Sequence, residues 1–130
     1  MLARRSSLVA LCLGLALVHG CRRQYEPLWY LTITHEVSPQ PPRVGQTGIT
    51  LSLTDSYGKP ITGAQVILEG NMSHAGMVPV FAETTEVAPG RYGATIELTM
   101  AGDWNITAHV KLQNGLDVER QFEIKGVANR

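Results

Sequence analysis

Across its 130 residues the chain sets 11 Lys and Arg against 11 Asp and Glu, for a formal net charge of zero with its four His neutral. It has no basic cluster, which excludes the electrostatic footprint of nucleic-acid binding. Two cysteines allow at most one disulfide, so the chain is no disulfide-dense scaffold.

Residues 1–20 begin with Arg4 and Arg5, run apolar from Leu8 to Val18 and end in small residues before a cysteine. This is the order of a cleaved secretory signal peptide, and its apolar run is shorter than a bilayer-spanning helix needs. Its last residues, "LVHGC", resemble a bacterial lipobox, which implies lipidation of Cys21 and attachment to the cell envelope through a lipid anchor. The adjacent arginines are weaker evidence for a twin-arginine signal. Arg22, standing where aspartate would mark inner-membrane retention, is compatible with outer-membrane sorting.

Removing residues 1–20 takes away Arg4 and Arg5 and no acid, leaving nine cationic and eleven acidic residues and a charge of −2. The cysteines are Cys12, inside the signal, and Cys21, at the lipid site. The expected mature domain therefore offers no disulfide, thiol nucleophile or thiolate ligand, and any metal must be held by His, Met or carboxylate. Its length suffices for one core without staples.

"CRRQYEPL", residues 21–28, reads as a short tether, and residues 29–130 as one domain. "WYLTIT" is a first strand, followed by "VSPQPPRVGQTG" over 37–48, where Pro and Gly interrupt regular structure. In "ITLSLTD", Ile49, Leu51 and Leu53 alternate with hydroxyl residues, the pattern of a half-buried strand, and "SYGKPITG" supplies a turn. "AQVILE" and "VPVFAETT" are further strands. "RYGATIEL" then aligns Tyr92, Ala94, Ile96 and Leu98, and "DWNITAHVKL" aligns Trp104, Ile106, Ala108, Val110 and Leu112. Asn-Gly in "QNGL" predicts a tight hairpin into "DVERQFEIK". About seven strands with turns every eight to twelve residues predict an all-β, immunoglobulin-like sandwich without the antibody-type cysteine pair.

"GNMSHAGM", residues 70–77, carries the chemistry. Thioether sulfur is soft and imidazole borderline, so Met72, His74 and Met77 suit Cu(I) better than Zn(II), Mg(II) or Ca(II), and Gly70 and Gly76 let the loop bend so that they converge. The competing reading has Met72 and Met77 filling the open end of the sandwich with His74 solvated between them. His35 and His109 are candidate fourth ligands, although parity puts His109 on a solvent face, and Met100 in "LTMAGDW" reads as turn packing. Tyr92 reads as a strand-start tyrosine pinning a corner through its hydroxyl, and Trp104 as a core filler. No GxSxG, HExxH or phosphate-cradling glycine loop occurs, so the chain is expected to be no enzyme. The sequons "NMS" and "NIT" would matter only in a eukaryotic secretory route.

The succession "GNMSHAGMVPV" and "APGRYGATIELTMAGDWNITAHV" resembles the YtkA-like domain of bacterial exported proteins, a family with FixH-type relatives, over roughly residues 45–125. The resemblance implies an immunoglobulin-like sandwich outside the cytoplasm and a link to copper or other metals. It points to an accessory that delivers Cu(I) to a membrane oxidase or an efflux component. The other function it leaves open is a metal-free protein-interaction module of the envelope.

Overall fold

A computed structural model describes residues 31–74 and 76–130. The expected signal peptide, lipid site at Cys21 and tether lie outside the described residues. Eight strands follow one another: β1 (Thr32–Ser38), β2 (Gly45–Thr54), β3 (Gln65–Asn71), β4 (Val80–Glu83), β5 (Thr85–Ala88), β6 (Arg91–Leu98), β7 (Gly102–Lys111) and β8 (Asp117–Val127). They form two antiparallel sheets, ordered β1-β2-β6-β5 and β4-β3-β7-β8. Lettered A to G in chain order with β4 as C′, these are the ABED and GFCC′ sheets of an immunoglobulin-like sandwich, so the topology itself fixes the fold.

The expected seven strands become eight because "VPVFAETT" and its continuation do not form one strand. The chain leaves the edge of one sheet at Glu83 and joins the edge of the other at Thr85. Thr84 makes the crossing, giving both its backbone N–H (3.1 Å) and its hydroxyl (2.9 Å) to the carbonyl of Val66. Alternating hydrophobicity cannot reveal this switch, because the segment stays extended on both sides of it. β1 also runs further than "WYLTIT", pairing from Thr32↔Thr54 to Ser38↔Gly48, and β2 starts at Gly45, inside the stretch expected to be irregular.

The inward faces are those the alternation predicts. Ile49, Leu51 and Leu53 of β2 and Tyr92, Ile96 and Leu98 of β6 meet Val66 and Leu68 of β3 and Trp104, Ile106 and Val110 of β7, all buried. Apolar side chains removed from water in this way supply the main favourable term, about 1.5–3 kcal/mol for each fully buried large one. Gly70 is left without a side chain for a steric reason: a Cβ there would stand 2.9 Å from Val80 and 3.4 Å from the Trp104 ring. The β7–β8 hairpin forms at "QNGL", but with a three-residue loop instead of a two-residue turn. Leu112 donates to Leu116 at 2.9 Å, and only Gly115 takes positive φ. Asn114 instead accepts the Leu116 N–H on its side chain, which stabilises this alternative.

Tyr92 pins the sandwich at its other end. Its hydroxyl donates to the Ile61 carbonyl (2.8 Å) and accepts the Ala64 N–H (3.1 Å), tying the start of β6 to the connection that leads into β3. Antibody domains carry their corner tyrosine near strand F and bond only a few residues upstream, whereas here the hydroxyl reaches across to the opposite sheet's approach. Burial raises the Tyr92 pKa above its ordinary value, so the hydroxyl stays a donor. Beside it, Glu86 accepts the Gly63 and Gly90 N–H groups at 3.0 Å each, and these donors hold its carboxyl below the usual range.

Replacing Tyr92 by Phe keeps the ring but leaves the Ile61 and Ala64 backbone groups without their partner. A loss of about 1–3 kcal/mol is expected in chemical denaturation. A change below about 0.5 kcal/mol would show that water substitutes for the hydroxyl and that the corner is not held through it.

Candidate functional site

The end of the sandwich where β3, β6 and β1 finish gathers the β3–β4 loop, the β6–β7 turn and the β1–β2 connection. Strand register fixes this: Asn71 pairs with Asn105, Gly70 with both Val80 and Ile106, and Gly45 with Leu98. Met72, His74 and Met77 sit on the first of these connections and Met100 on the second. Every methionine of the chain except Met1 therefore lies at one end, together with one histidine.

The four side chains are not equivalent. Met72 is buried at 8% exposure and belongs to the core; its terminal methyl lies 2.8 Å from where a Gly102 Cβ would stand. Gly102 combines that close approach with φ of +126°, which excludes a side chain twice over. Met77 is half-buried against the core, and its N–H approaches the His74 carbonyl at 3.4 Å across a bend in which Gly76 takes φ of +77°. His74 is exposed. Met100 is 46% exposed, on a turn whose carbonyl accepts the Trp104 indole N–H at 2.9 Å.

Packing thus takes up Met72, as the gap-filling reading expects, and leaves Met77, His74 and Met100 open to solvent in different degrees. Thioethers and an imidazole form a donor set for a soft ion, and the donor chemistry of this end fits Cu(I). Among the described residues no group of three or more His, Cys, Asp or Glu is placed to hold a metal. The sequence reads Met100 as core or turn packing, and the resemblance to YtkA-like domains places its turn near the same end of the sandwich as the Met/His loop; the register of β3 with β7 puts it there.

His35 and His109 do not complete the set. His35 lies mid-strand on β1, opposite Leu51, with its ring stacked on Phe122 of β8 at 4.0 Å between centroids. His109 stands seven residues along β7 from Gly102, about 23 Å away at the rise of an extended strand.

His109 instead joins three strands. Its Nε2 meets Glu69 of β3 at 2.7 Å and its Nδ1 meets Glu119 of β8 at 3.1 Å, on the outer face of the sheet. The hydrogen bond with Glu69 is the main cause raising the His109 pKa above 6.5; partial burial opposes it and the Glu119 charge adds to it. Glu69 in turn is lowered from 4.5, first by His109 and then by the Asn71 amide, 2.8 Å away. Parity predicted the outward position of His109, but not these partners.

A family model for YtkA-like domains matches residues 31–109. It takes in β1, which precedes the segment that carried the resemblance, and stops at His109. Comparison with curated proteins finds no match. Among solved structures, one of murine CRIg aligns at 14% identity with a TM-score of 0.44, covering 76% of this chain and 98% of that one.

The raised histidine makes its stabilisation fully present below about pH 6.5 and lost as pH rises through the folded-state value. The lowered glutamate makes its own present above about pH 4.5 and lost as pH falls through its folded-state value. His109→Gln is expected to cost about 0.5 kcal/mol near pH 5.5, a figure already reduced for solvent screening, and clearly less near pH 8. Equal losses in urea melts at the two pH values would mean that the imidazolium does not bridge the strands.

Proposed function

The chain belongs to the YtkA-like family, and from that premise we propose that it is a lipid-anchored binding module of the bacterial cell envelope that holds Cu(I) at its methionine-bearing end. The observation that carries this reading is the convergence of Met72, Met77 and Met100 with His74 at one end of a rigid sandwich. Thioethers lose no proton on binding, so such a site works across a wide pH range, and in an oxidising compartment it selects a soft monovalent ion over Zn(II), Mg(II) and Ca(II). His74, Met77 and Met100 are the donors an incoming ion reaches, and Met72, packed at the same end, completes the set. Exposed ligands on loops exchange readily, which suits passing the ion to an oxidase or an efflux component.

A binding role, not an enzymatic one, rests on the absence of a catalytic motif such as GxSxG or HExxH in the sequence. Anchoring through Cys21 rests on the "LVHGC" motif.

A metal-free interaction module is the second reading, favoured by the burial of Met72 and by Val78, 77% exposed at the end of the same loop. Anaerobic titration of the protein with Cu(I) against a chromogenic chelator separates the two. Stoichiometric competition is expected, weakened about tenfold or more in a Met77→Leu/Met100→Leu variant, while Met72→Leu is expected to weaken it less, because its packing role tolerates the swap. No competition by the unaltered protein would reject the copper site and leave the interaction module.

A further inference from the structure

The two outer faces of the sandwich differ in kind. That of β1-β2-β6-β5 is floored by Gly48 and Gly93 and lined by hydroxyls such as Thr50, Ser52 and Thr95, with Glu36 neutralised by Arg91 at 3.2 Å. The outer face of β4-β3-β7-β8 carries more carboxylates, Glu69, Glu83, Asp117, Glu119 and Glu123, with exposed Phe81 and Ile67, against Glu36, Glu97 and the exposed Val87 on the other. Its register places Phe81 opposite Glu69 and Glu83 opposite Ile67, so that carboxylate and hydrocarbon alternate in a checkerboard over β4 and β3. On β8, Glu119 is bonded to His109 at 3.1 Å and Glu123 to Lys125 at 3.2 Å, and Asp117 stands opposite Lys111, so that among the described residues Glu83 of β4 is the carboxylate of this face without a cation beside it.

Phe81 is 64% exposed and Ile67 39%. A groove of about 300 Å³ runs on the far side of Ile67 from Phe81, lined by Gln65, Ile67, His109, Lys111, Asp117 and Glu119. Exposed aromatic surface within a sheet face is a docking signal, and here the surrounding charge decides what can dock. A second copy would bring the same carboxylates against these, and an anionic lipid surface would be repelled in the same way. A cationic partner gains both ways: its ammonium or guanidinium meets Glu83, while Glu69 is already held by His109 and Asn71, and its apolar side chains cover Phe81 and Ile67.

We infer that this face docks a protein segment that presents Lys or Arg beside an apolar side chain. Glu83 follows Phe81 by two positions on one strand face, a separation of about 6.7 Å. An extended partner segment sets its own alternate side chains at that same spacing, so one residue seats on Phe81 while the next on that side pairs with Glu83. The inference is independent of copper, because it uses none of the residues at the methionine-bearing end.

Fluorescence anisotropy of a labelled short peptide alternating leucine and arginine, titrated with the full chain, tests it. Binding is expected that weakens with added salt, falls about tenfold or more in Glu83→Lys/Glu119→Lys and also falls in Phe81→Ser, while Glu36→Lys on the opposite sheet leaves it within about twofold. A peptide with glutamate in place of arginine is expected not to bind. All three substituted positions on this face are exposed, and melting curves check that each variant folds; Phe81→Ser alone decides the matter if the charge reversal unfolds the chain. Absence of binding, equal affinity for the Phe81→Ser variant, or an equal loss in Glu36→Lys would each overturn the inference.

Discussion

The indole of Trp104 is the largest body between the two sheets and is fully buried. Two features near it are consequences of seating it. Gly70 carries no side chain because Trp104, Val80 and Ile96 converge on the space a Cβ would fill. The indole N–H, which cannot remain unpaired in that interior, reaches the Met100 carbonyl and so fixes the β6–β7 turn. Met72 packs at the same end, its methyl close to Gly102. The core tryptophan thereby positions the turn that carries Met100.

The opposite end is held by different chemistry. Tyr92 and Glu86 satisfy backbone groups of the β2–β3 connection and the β5–β6 turn, so loops that contribute little apolar surface are still tied to the sheets. Along the side where β1 and β8 meet, the sheets are joined by backbone bonds from Val44 to Ala128 (2.8 Å) and from Ala128 to Pro42 (3.1 Å), and by the His35–Phe122 stack. On the other side, the continuous passage from β4 into β5 does the same work. Each flank of the sandwich is thereby tied across locally, while the edge strands β1, β5, β4 and β8 remain the edges of their sheets.

His109 shows how one residue type can carry unlike roles within a single chain. His74 is a solvent-facing donor on a loop, His35 a stacking surface between sheets, and His109 a charge-bearing bridge across three strands. Nothing in the residue alone distinguishes them. Their neighbours do, and those neighbours are 10 to 87 residues away in sequence: Glu119 and Glu69 for His109, Phe122 for His35.

By itself the sequence determined the class of the protein. Period-two alternation in "ITLSLTD", "RYGATIEL" and "DWNITAHVKL" assigned each inward face correctly, because burial of apolar surface acts on every strand separately and leaves its mark locally. It also marked Tyr92 as a corner residue and Trp104 as the core filler. The tertiary structure alone decided what depends on pairing between distant strands. It made eight strands of seven by switching sheets at Thr84, and buried Met72 while leaving His74 in solvent. It also removed His35 and His109 from the methionine-bearing end and set His109 between two carboxylates. Register is a relation between segments, settled by how two sheets share one core, and no single segment encodes it.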